Sequence, residues 1–376
     1  MEVVVTGLGL FSAFGDLDRS WQNLIAGNSA IKLEQPLPEL PSFPLALIAK
    51  KSTNLDVIIN RVVSAALNDA GIYQPLPNCG VAIGSSRSYQ GIWEQLATKK
   101  IFADNFNWEE TLPSFAATFA ARKIGSRGLI SAPMAACATG IWSLAKGFEW
   151  IETGQCNKVI AGAVESPITP LTLAGFQRIG ALAKTGCYPF DRHREGLVLG
   201  EGGAVLVLES AESAIARNAK IYGQILGFGL TCDAHHISAP ESTGKEATAA
   251  FAKCLENSNL QASDIDYIHA HGTSTKLNDI REAELISRVF GDRVAVSSTK
   301  GATGHTLGAS GAIGSVFCLM ALKHSQLPPC VGLKESEFTI NVEKESRFAN
   351  LKTTLCLSFG FGGQNAVIAI GKYHKT

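Results

Sequence analysis

The stretch AACATGIWSLAKGFEWIETGQCNKVIAGA, residues 135–163, contains the unit from which the fold is built. Apolar residues recur at helical spacing over Thr139–Thr153, and Lys158–Ala163 is a short, almost wholly apolar run. These patterns predict a helix followed by a buried strand. Cys137 precedes the helix, so its thiol is expected at a helix N-terminus, where backbone N–H groups and the helix dipole favour the thiolate. A buried structural cysteine is the usual alternative, and the surrounding motifs decide between the two.

The same alternation of short apolar runs and helical patterns continues on both sides of this unit. Further strands are predicted at Val3–Gly7, Gly80–Gly84, Ala204–Glu209, Ile221–Gly229, Ile265–His269, Val294–Ser297 and Thr354–Ser358. Further helices are predicted at Asn54–Ala70, Pro170–Leu182, Thr243–Asn257, Ile280–Val289 and Gly308–His324. This order is typical of a layered α/β fold. Its rhythm indicates a possible duplication, with residues 1–210 as the N-terminal half that carries Cys137 and residues 211–376 as the C-terminal half.

Composition and charge exclude several classes of protein. The 376 residues are 46% hydrophobic, enough for one large domain or two fused ones, and 33 basic residues balance 33 acidic ones, so no nucleic-acid partner is indicated. Nine cysteines without a C-x-x-C pair argue for reduced thiols and against a disulfide framework. The longest apolar stretch, around Gly311–Leu322, is too short to cross a bilayer. With a strand pattern instead of a signal peptide at its start, the chain is expected to be cytoplasmic.

Three further segments carry chemically useful side chains. HAHGTST, residues 269–275, follows a predicted strand, and a histidine that leads from such a strand end into a Gly-Thr turn is expected to point into the crevice where α/β proteins bind ligands. STKGATGH, residues 298–305, leads a lysine and a histidine into a helix of small residues. SFGFGG, residues 358–363, is rich enough in glycine for its backbone to approach a ligand closely. Each of these segments alone is more often structural.

Together with Cys137, these segments supply the parts of an acyl-transfer site. A thiolate attacks a thioester, backbone N–H groups stabilise the oxyanion, and two neutral imidazoles stabilise an enolate; one oxyanion donor contributes about 3 kcal/mol. NAD binding is rejected because Gly7-Leu8-Gly9 lacks the third glycine of a dinucleotide fingerprint. No metal is expected, since no tetrahedral set of ligands with sensible spacing is present.

An ordered set of motifs resembles the β-ketoacyl-acyl-carrier-protein synthases of the thiolase superfamily over nearly the whole chain. The motifs are VVVTGLGLFSAFG (3–15), AACATG (135–140), YPFDRHREGLVLGEGGAVLVLE (188–209), DAHHISAP (233–240), HGTSTKLNDIREAE (271–284), STKGATGHTLGASGA (298–312) and SFGFGGQNA (358–366). The resemblance implies a thiolase-like five-layer αβαβα fold from two duplicated halves and an obligate dimer. It also implies an acyltransferase without a cofactor, whose substrates are carried on the phosphopantetheine of an acyl carrier protein.

The resemblance also assigns roles to individual positions. Cys137 matches the nucleophile that becomes acylated, and His271 and His305 match the pair that drives malonyl decarboxylation. Lys300 matches the lysine that tunes this pair, and Phe361 matches the gating residue whose N–H completes the oxyanion hole with that of Cys137. The implied reaction is a decarboxylative Claisen condensation through an acyl-cysteine. The positions that match contacts to the phosphopantetheine arm are Thr273, Thr275 and Ser238, of which Ser238 is equally explained by loop packing.

Departures from the family pattern indicate a specialised member. The basic helical region that docks the carrier protein in the family is largely absent near Asn54–Asn60, and Gly314 replaces a glutamate that elongating synthases tie to the lysine. Type II polyketide systems, including those for aryl polyenes, pair an active synthase with a homologous chain-length factor. We therefore expect a ketosynthase-type subunit that works in a heterodimer with another ketosynthase.

The sequence leaves three alternatives open. One is a homodimer that elongates acyl chains in fatty acid synthesis. Another is a catalytically silent chain-length factor, which shapes the acyl tunnel of its partner. The third, a thiolase acting on coenzyme A thioesters, is disfavoured because it needs a second cysteine where Gly360–Gly363 offers a phenylalanine.

Overall fold

The computed structural model describes residues 1–38, 40–99 and 106–374. The helices are α1 (Leu17–Ile25), α2 (Leu55–Asp69), α3 (Gln90–Lys99), α4 (Phe115–Ile124), α5 (Thr139–Glu152), α6 (Pro170–Arg178), α7 (Ala211–Ala216), α8 (Lys245–Asn257), α9 (Lys276–Phe290), α10 (Lys300–Thr303) and α11 (Ser310–His324). The strands are β1 (Val3–Ser12), β2 (Gly15–Asp16), β3 (Lys32–Glu34), β4 (Phe43–Leu45), β5 (Gly80–Gly84), β6 (Ile130–Ser131), β7 (Lys158–Glu165), β8 (Gly202–Ser210), β9 (Gly223–Cys232), β10 (Tyr267–His269), β11 (Ala295–Ser297), β12 (Gln326–Leu327), β13 (Arg347–Phe348), β14 (Thr353–Gly360) and β15 (Gln364–Gly371).

The strand order repeats between the two halves of the chain. One sheet of eleven strands has the order β11-β10-β14-β15-β9-β1-β8-β7-β5-β6, with β2 paired to β1. From either end of this order, the first two pairings are parallel and the next two are antiparallel. The expected duplication is therefore present in the topology, and the antiparallel pair of β1 and β9 joins the halves. The boundary after residue 210 falls where β8 ends, and this division of the chain stays an interpretation.

Helices and sheet form the expected five layers. Helices α2 and α4 share one apolar cluster with the outer face of the N-terminal strands, and α8 and α9 share another with the C-terminal strands. Helices α5 and α11 lie between the two halves of the sheet in the largest cluster. Both faces of strand β8 are buried, because Val205 faces the outer cluster and its neighbour Leu206 faces the central one. A strand that is buried on both faces needs the continuous apolar run that the sequence contains.

The N-terminal turns of α5 and α11 pack directly against each other. A Cβ on Gly140 would lie 2.4 Å from the backbone nitrogen of Ala312, and a Cβ on Gly311 would lie 2.8 Å from Cγ1 of Ile141. Only glycine permits backbones to approach so closely. This contact brings together the two segments, one from each half of the chain, in which the candidate nucleophile and a candidate histidine lie.

The predicted elements are found, with shifted ends. Strand β5 has the predicted bounds, Gly80–Gly84. Strand β1 continues to Ser12, five residues beyond the prediction, because it pairs with β8 along its whole length. Helix α6 ends at Arg178, before the predicted Leu182, and Gly180 then adopts φ of 68°.

One apolar helical stretch is longer than the sequence pattern predicts. Within the described residues, 307–324 is long and apolar enough to cross a membrane by length and composition, so the prediction of too short a stretch was wrong. However, 89% of this stretch is buried inside the protein. Its place between the two halves of the sheet explains its composition as that of a core helix.

Candidate active site

Cys137 follows a strained backbone turn. Ala136 has φ of 46°, in the left-handed region that residues with a side chain rarely adopt. The hydroxyl of Thr139 holds the turn, since it accepts from the N–H of Ala135 at 2.9 Å and donates to the carbonyl of Ala136 at 2.7 Å. Ser358 on β14 donates to the carbonyl of Cys137 at 2.8 Å. The turn thus fixes the thiol at the N-terminus of α5, as predicted, beside the end of β14.

Both predicted histidines reach this thiol from the C-terminal half. Sγ of Cys137 and one ring nitrogen each of His271 and His305 lie within 4.8 Å of one another, and all three residues are buried. The imidazole rings meet edge to face, with centroids 5.3 Å apart. Nδ1 of His305 shares a hydrogen bond with the hydroxyl of Ser310 at 2.9 Å. Nδ1 of His271 is buried and has no partner in the described residues.

The same three atoms are of the types that bind transition metals. Zinc would need each of them at about 2.0–2.3 Å and a fourth ligand besides. The spacing of these ligands along the chain predicts no metal site, yet the fold brings them together. Metal-free operation therefore stays a prediction.

Burial decides the protonation state of the site. It raises the pKa of the Cys137 thiol to about 11, although the charge of Lys300 and a hydrogen bond from the N–H of Phe361 lower it. Burial, reinforced by the charge of Lys300, lowers the pKa of His271 and of His305 well below the usual range. The expected thiolate is thus not the resting form, because desolvation outweighs the favourable helix end. A neutral thiol faces neutral imidazoles that can accept its proton during attack.

Lys300 and two carboxylates lie behind the histidines. Nζ of Lys300 donates to the carbonyl of His271, and Lys300 does not line the cavity described below. The carboxylate of Glu282 accepts from the N–H of His271 at 2.5 Å and of Gly272 at 2.6 Å. Asp279 likewise accepts from the N–H of Ser274 at 3.1 Å. These three side chains hold the loop that carries His271, and Lys300 acts through this loop and through its charge.

A cavity of about 420 Å³ connects the cluster to the surface. Phe361 lies in the turn between β14 and β15, is 37% exposed, and its ring centroid is 5.8 Å from that of Phe176. The N–H of Ser238 donates to Nδ1 of His236 at 3.1 Å, which supports the alternative that this segment is held by loop packing. The cavity lining contains every candidate site residue except Lys300, namely Cys137, Ser238, His271, Thr273, Thr275, His305 and Phe361.

His269, the first histidine of residues 269–275, is not among the residues that line the cavity. Nε2 of His269 lies 3.0 Å from the hydroxyl of Thr299, and Nδ1 lies 3.7 Å from Sγ of Cys356. Strand β10 ends at His269 and the chain then turns at Gly272, with φ of 38°, so it is His271 that enters the crevice.

Glu165 braces the site, and the sequence pattern did not point to it. Its buried carboxylate, at the end of β7, accepts from the N–H of Ser86 at 2.8 Å, of Arg87 at 2.9 Å and of Gly308 at 3.1 Å. It thereby ties a loop of the N-terminal half to the turn that follows His305. A signal was present, because a carboxylate at the end of an apolar buried strand needs several hydrogen-bond partners.

Profiles of one protein family match both halves of the chain. The profile described as Beta-ketoacyl synthase, N-terminal domain, matches residues 48–214, and the one described as Beta-ketoacyl synthase, C-terminal domain, matches residues 222–334. The chain is similar over its full length to a 3-oxoacyl-[acyl-carrier-protein] synthase 2 of Synechocystis sp. The two are 34% identical over 412 residues, and the alignment covers 99% of this chain and 98% of that protein.

Solved structures agree with these matches. A type II polyketide synthase acyl-carrier protein in complex with its ketosynthase includes a chain with a TM-score of 0.91 and 28% identity, with 99% of each chain covered. A ketosynthase in complex with its chain length factor, from Xenorhabdus doucetiae, gives a TM-score of 0.85 and 26% identity, over 99% of this chain and 98% of that one. The thiolase-like fold expected from the sequence is therefore confirmed.

Proposed function

Because this chain belongs to the β-ketoacyl synthase family and is a condensing enzyme of the acyltransferase type, we propose that it joins an acyl group held on Cys137 to a malonyl group held on acyl carrier protein. One observation carries the proposal: Sγ of Cys137 and ring nitrogens of His271 and His305 lie within 4.8 Å of one another on one cavity. No step needs a cofactor.

In the first half-reaction, Sγ of Cys137 attacks the thioester carbonyl while a neutral imidazole takes its proton. The bond from Sγ to the acyl carbon forms, the bond to the pantetheine sulfur breaks, and the proton passes to the leaving sulfur. The N–H groups of Cys137 and Phe361 stabilise the oxyanion, and one such donor lowers the barrier by about 3 kcal/mol.

In the second half-reaction, the bond from the malonyl carbon to its carboxylate breaks and carbon dioxide leaves. The electron pair forms an enolate, whose oxygen accepts hydrogen bonds from His271 and His305. The enolate carbon then attacks the acyl carbonyl on Cys137, the bond from that carbon to Sγ breaks, and the departing thiolate takes a proton from solvent. When the hydroxyl of Ser310 donates to Nδ1 of His305, the imidazole proton is on Nε2, where it can serve as such a donor.

The arm of the carrier protein would enter through the same cavity. Thr273 and Thr275 line it, and their hydroxyls lie 2.9 Å apart, so both can turn to a polar group of the arm. Ser238 lines the cavity from the opposite loop. These contacts would position the thioester without taking part in bond breaking.

We further propose that the chain works in a heterodimer with a second ketosynthase. Ketosynthases in complex with chain length factors are among the structures that it resembles. Gly314 and the α2 segment near Asn54–Asn60, which lack the family's usual side chains, support a division of labour between two subunits. A silent chain-length factor is the second candidate, and the retained cysteine and histidines argue against it.

Intact-mass measurement of acylation tests both proposals. The chain is purified with its natural partners and incubated with acyl carrier protein that carries an acyl group, and each subunit is weighed. We expect an acyl adduct on this chain. The adduct should be absent in Cys137→Ser and present in the control Cys254→Ala, which removes a buried thiol on α8. An adduct on the partner alone would identify a chain-length factor. Elongation by a purified homodimer would refute the heterodimer but support the condensing activity.

A further inference from the structure

A second pairing of an imidazole with a thiol lies beneath the active site. His269, at the end of β10, is 2% exposed, and Cys356 on β14 is fully buried. Nδ1 of His269 lies 3.7 Å from Sγ of Cys356, and this sulfur lies 3.6 Å from the carbonyl of Gly311 in α11. The other ring nitrogen, Nε2, lies 3.0 Å from the hydroxyl of Thr299. Both nitrogens of the ring therefore have a polar contact, and neither faces the cavity.

The pair occupies the space that a side chain at position 314 would need. A Cβ on Gly314 would lie 2.7 Å from both Cε1 and Nδ1 of His269, and 2.8 Å from Sγ of Cys356. Real Cβ atoms essentially never approach other atoms so closely. The ring and the sulfur therefore pack directly against the backbone of α11. Glycine is unfavourable in the interior of a helix. With the ring of His269 and the sulfur of Cys356 in these positions, a side chain at position 314 has no room.

Thr299 links His269 to Lys300. Its hydroxyl lies 3.0 Å from Nε2 of His269, it precedes Lys300 in the chain, and its carbonyl accepts the N–H groups of Ala302 and Thr303 in the single turn of α10. Burial lowers the pKa of Lys300, and the carboxylate of Glu282 opposes this. Lys300 in turn donates to the carbonyl of His271.

We propose that His269 is a positioning residue of the condensation: held between Thr299 and Cys356 on the bare backbone at Gly314, it fixes the buried ammonium of Lys300 behind His271. The inference rests on the proposed function, because it concerns the same site. The proposal predicts that His269 sets how strongly the charge of Lys300 acts on the thiol of Cys137. This effect can be measured without turnover.

The titratable groups around Lys300 and His269 come from several elements. Burial would raise the pKa of the Cys356 thiol, but a hydrogen bond from Cys318 and the neighbouring ring of His269 lower it well below the usual range. The charge of Lys300 lowers the pKa of Cys137, whereas burial raises it. The groups to be considered in a pH profile are Tyr267 on β10, Cys318 on α11, Cys356 on β14, Glu282 on α9, Cys187, Cys137, His271 and His305.

The test follows the pH dependence of Cys137 alkylation by iodoacetamide, read by peptide mass spectrometry. In His269→Asn we expect the midpoint to move up by about one pH unit, a tenfold change in thiolate at fixed pH, because Lys300 no longer presents its charge in place. The turnover number for condensation should fall about tenfold with KM changed less than twofold. The matched control is His193→Asn, an exposed histidine, which should leave both unchanged.

A second variant separates positioning from packing. Gly314→Ala places its Cβ within 2.7 Å of the ring and should displace it, with the same shift of the alkylation midpoint as His269→Asn. In the double variant the shift should not grow, since the ring through which Gly314 acts is gone. A structural role alone would lower the thermal midpoint of unfolding and leave the alkylation profile unmoved.

The outcomes distinguish this inference from the proposed function. An unchanged alkylation profile and turnover number in His269→Asn, with Cys137 still acylated, would overturn the positioning role alone. If the unaltered protein forms no acyl adduct on Cys137, the proposed function fails, yet the alkylation profiles still decide whether His269 sets the environment of that thiol.

Discussion

Two arrangements of a thiol with imidazole lie close together in this protein and differ in access. Cys137, with His271 and His305, lines a cavity of about 420 Å³. Cys356, with His269, is sealed between β10, β14 and α11. We refer to them as the open cluster and the sealed pair.

The difference shows that the functional groups alone do not make a reaction site. The open cluster has the N-terminus of α5, the N–H of Phe361 and room for a thioester beside its sulfur. The sealed pair has the carbonyl of Gly311 and the bare backbone at Gly314. A developing oxyanion requires donors and space, so only the open cluster can perform acyl transfer, and the sealed pair can act solely on its neighbours.

The largest expected effect comes from removing the open thiol. Cys137→Ser should lower the turnover number for condensation by about 10⁴-fold or more, because the acyl-enzyme can no longer form at sulfur. The assay is formation of the β-ketoacyl product from acyl and malonyl carrier protein, with Cys254→Ala as the control. Retention of more than a tenth of the activity would show that the open cluster does not carry the nucleophile.

The next effect separates the two half-reactions within the open cluster. His305→Asn should slow release of carbon dioxide from malonyl carrier protein by about 10²-fold, because one donor to the enolate is lost. Acylation of Cys137 should fall less, since His271 remains to accept the thiol proton. The exposed His324→Asn serves as the control. Equal losses in both half-reactions would contradict the division of roles.

A third prediction concerns stability behind the open cluster. Burial raises the pKa of Glu282 from about 4.5 to about 7, so the folded protein binds this proton more tightly than the unfolded chain. The tighter binding of this proton stabilises the folded protein fully below pH 4.5, and this stabilisation is lost as the pH rises to 7. The free energy of unfolding falls by about 3 kcal/mol over this range. Glu282→Gln should therefore flatten the pH dependence over this range.

Urea unfolding at several pH values between 4.5 and 7 measures this effect. Glu149→Gln, which removes an exposed carboxylate, is the matched control and should retain the slope of the unaltered protein. Identical slopes in all three proteins would mean that Glu282 titrates in the folded state as it does in the unfolded chain.

The smallest effect is expected at the mouth of the open cluster. Thr275→Val should raise KM for carrier-protein substrates about three- to tenfold and leave the turnover number unchanged, because it removes one hydrogen bond to the arm. Steady-state kinetics with Thr153→Val, an exposed threonine on another helix end, provides the comparison. A lower turnover number with KM unchanged would assign Thr275 to the chemical step instead.

Local patterns predicted what depends on neighbours along the chain. The apolar spacing of Thr139–Thr153 predicted α5, and the motif around Cys137 predicted a thiol at its N-terminus. The C-terminal end of β1 was missed, because pairing with β8 sets it, and so was Glu165, whose partners come from residues 79 and 143 positions away.

The sequence by itself determined the order of strands and helices, the chemical groups present and the family. The tertiary structure decided that Glu165 ties the turn after His305 to the N-terminal half, that His269 pairs with Cys356 outside the cavity, and that the Cys137 thiol is protonated at rest with a pKa of about 11. The physical reason is that periodicity and motif act between near neighbours in the chain, whereas desolvation, side-chain direction and hydrogen bonding depend on segments that only folding brings together.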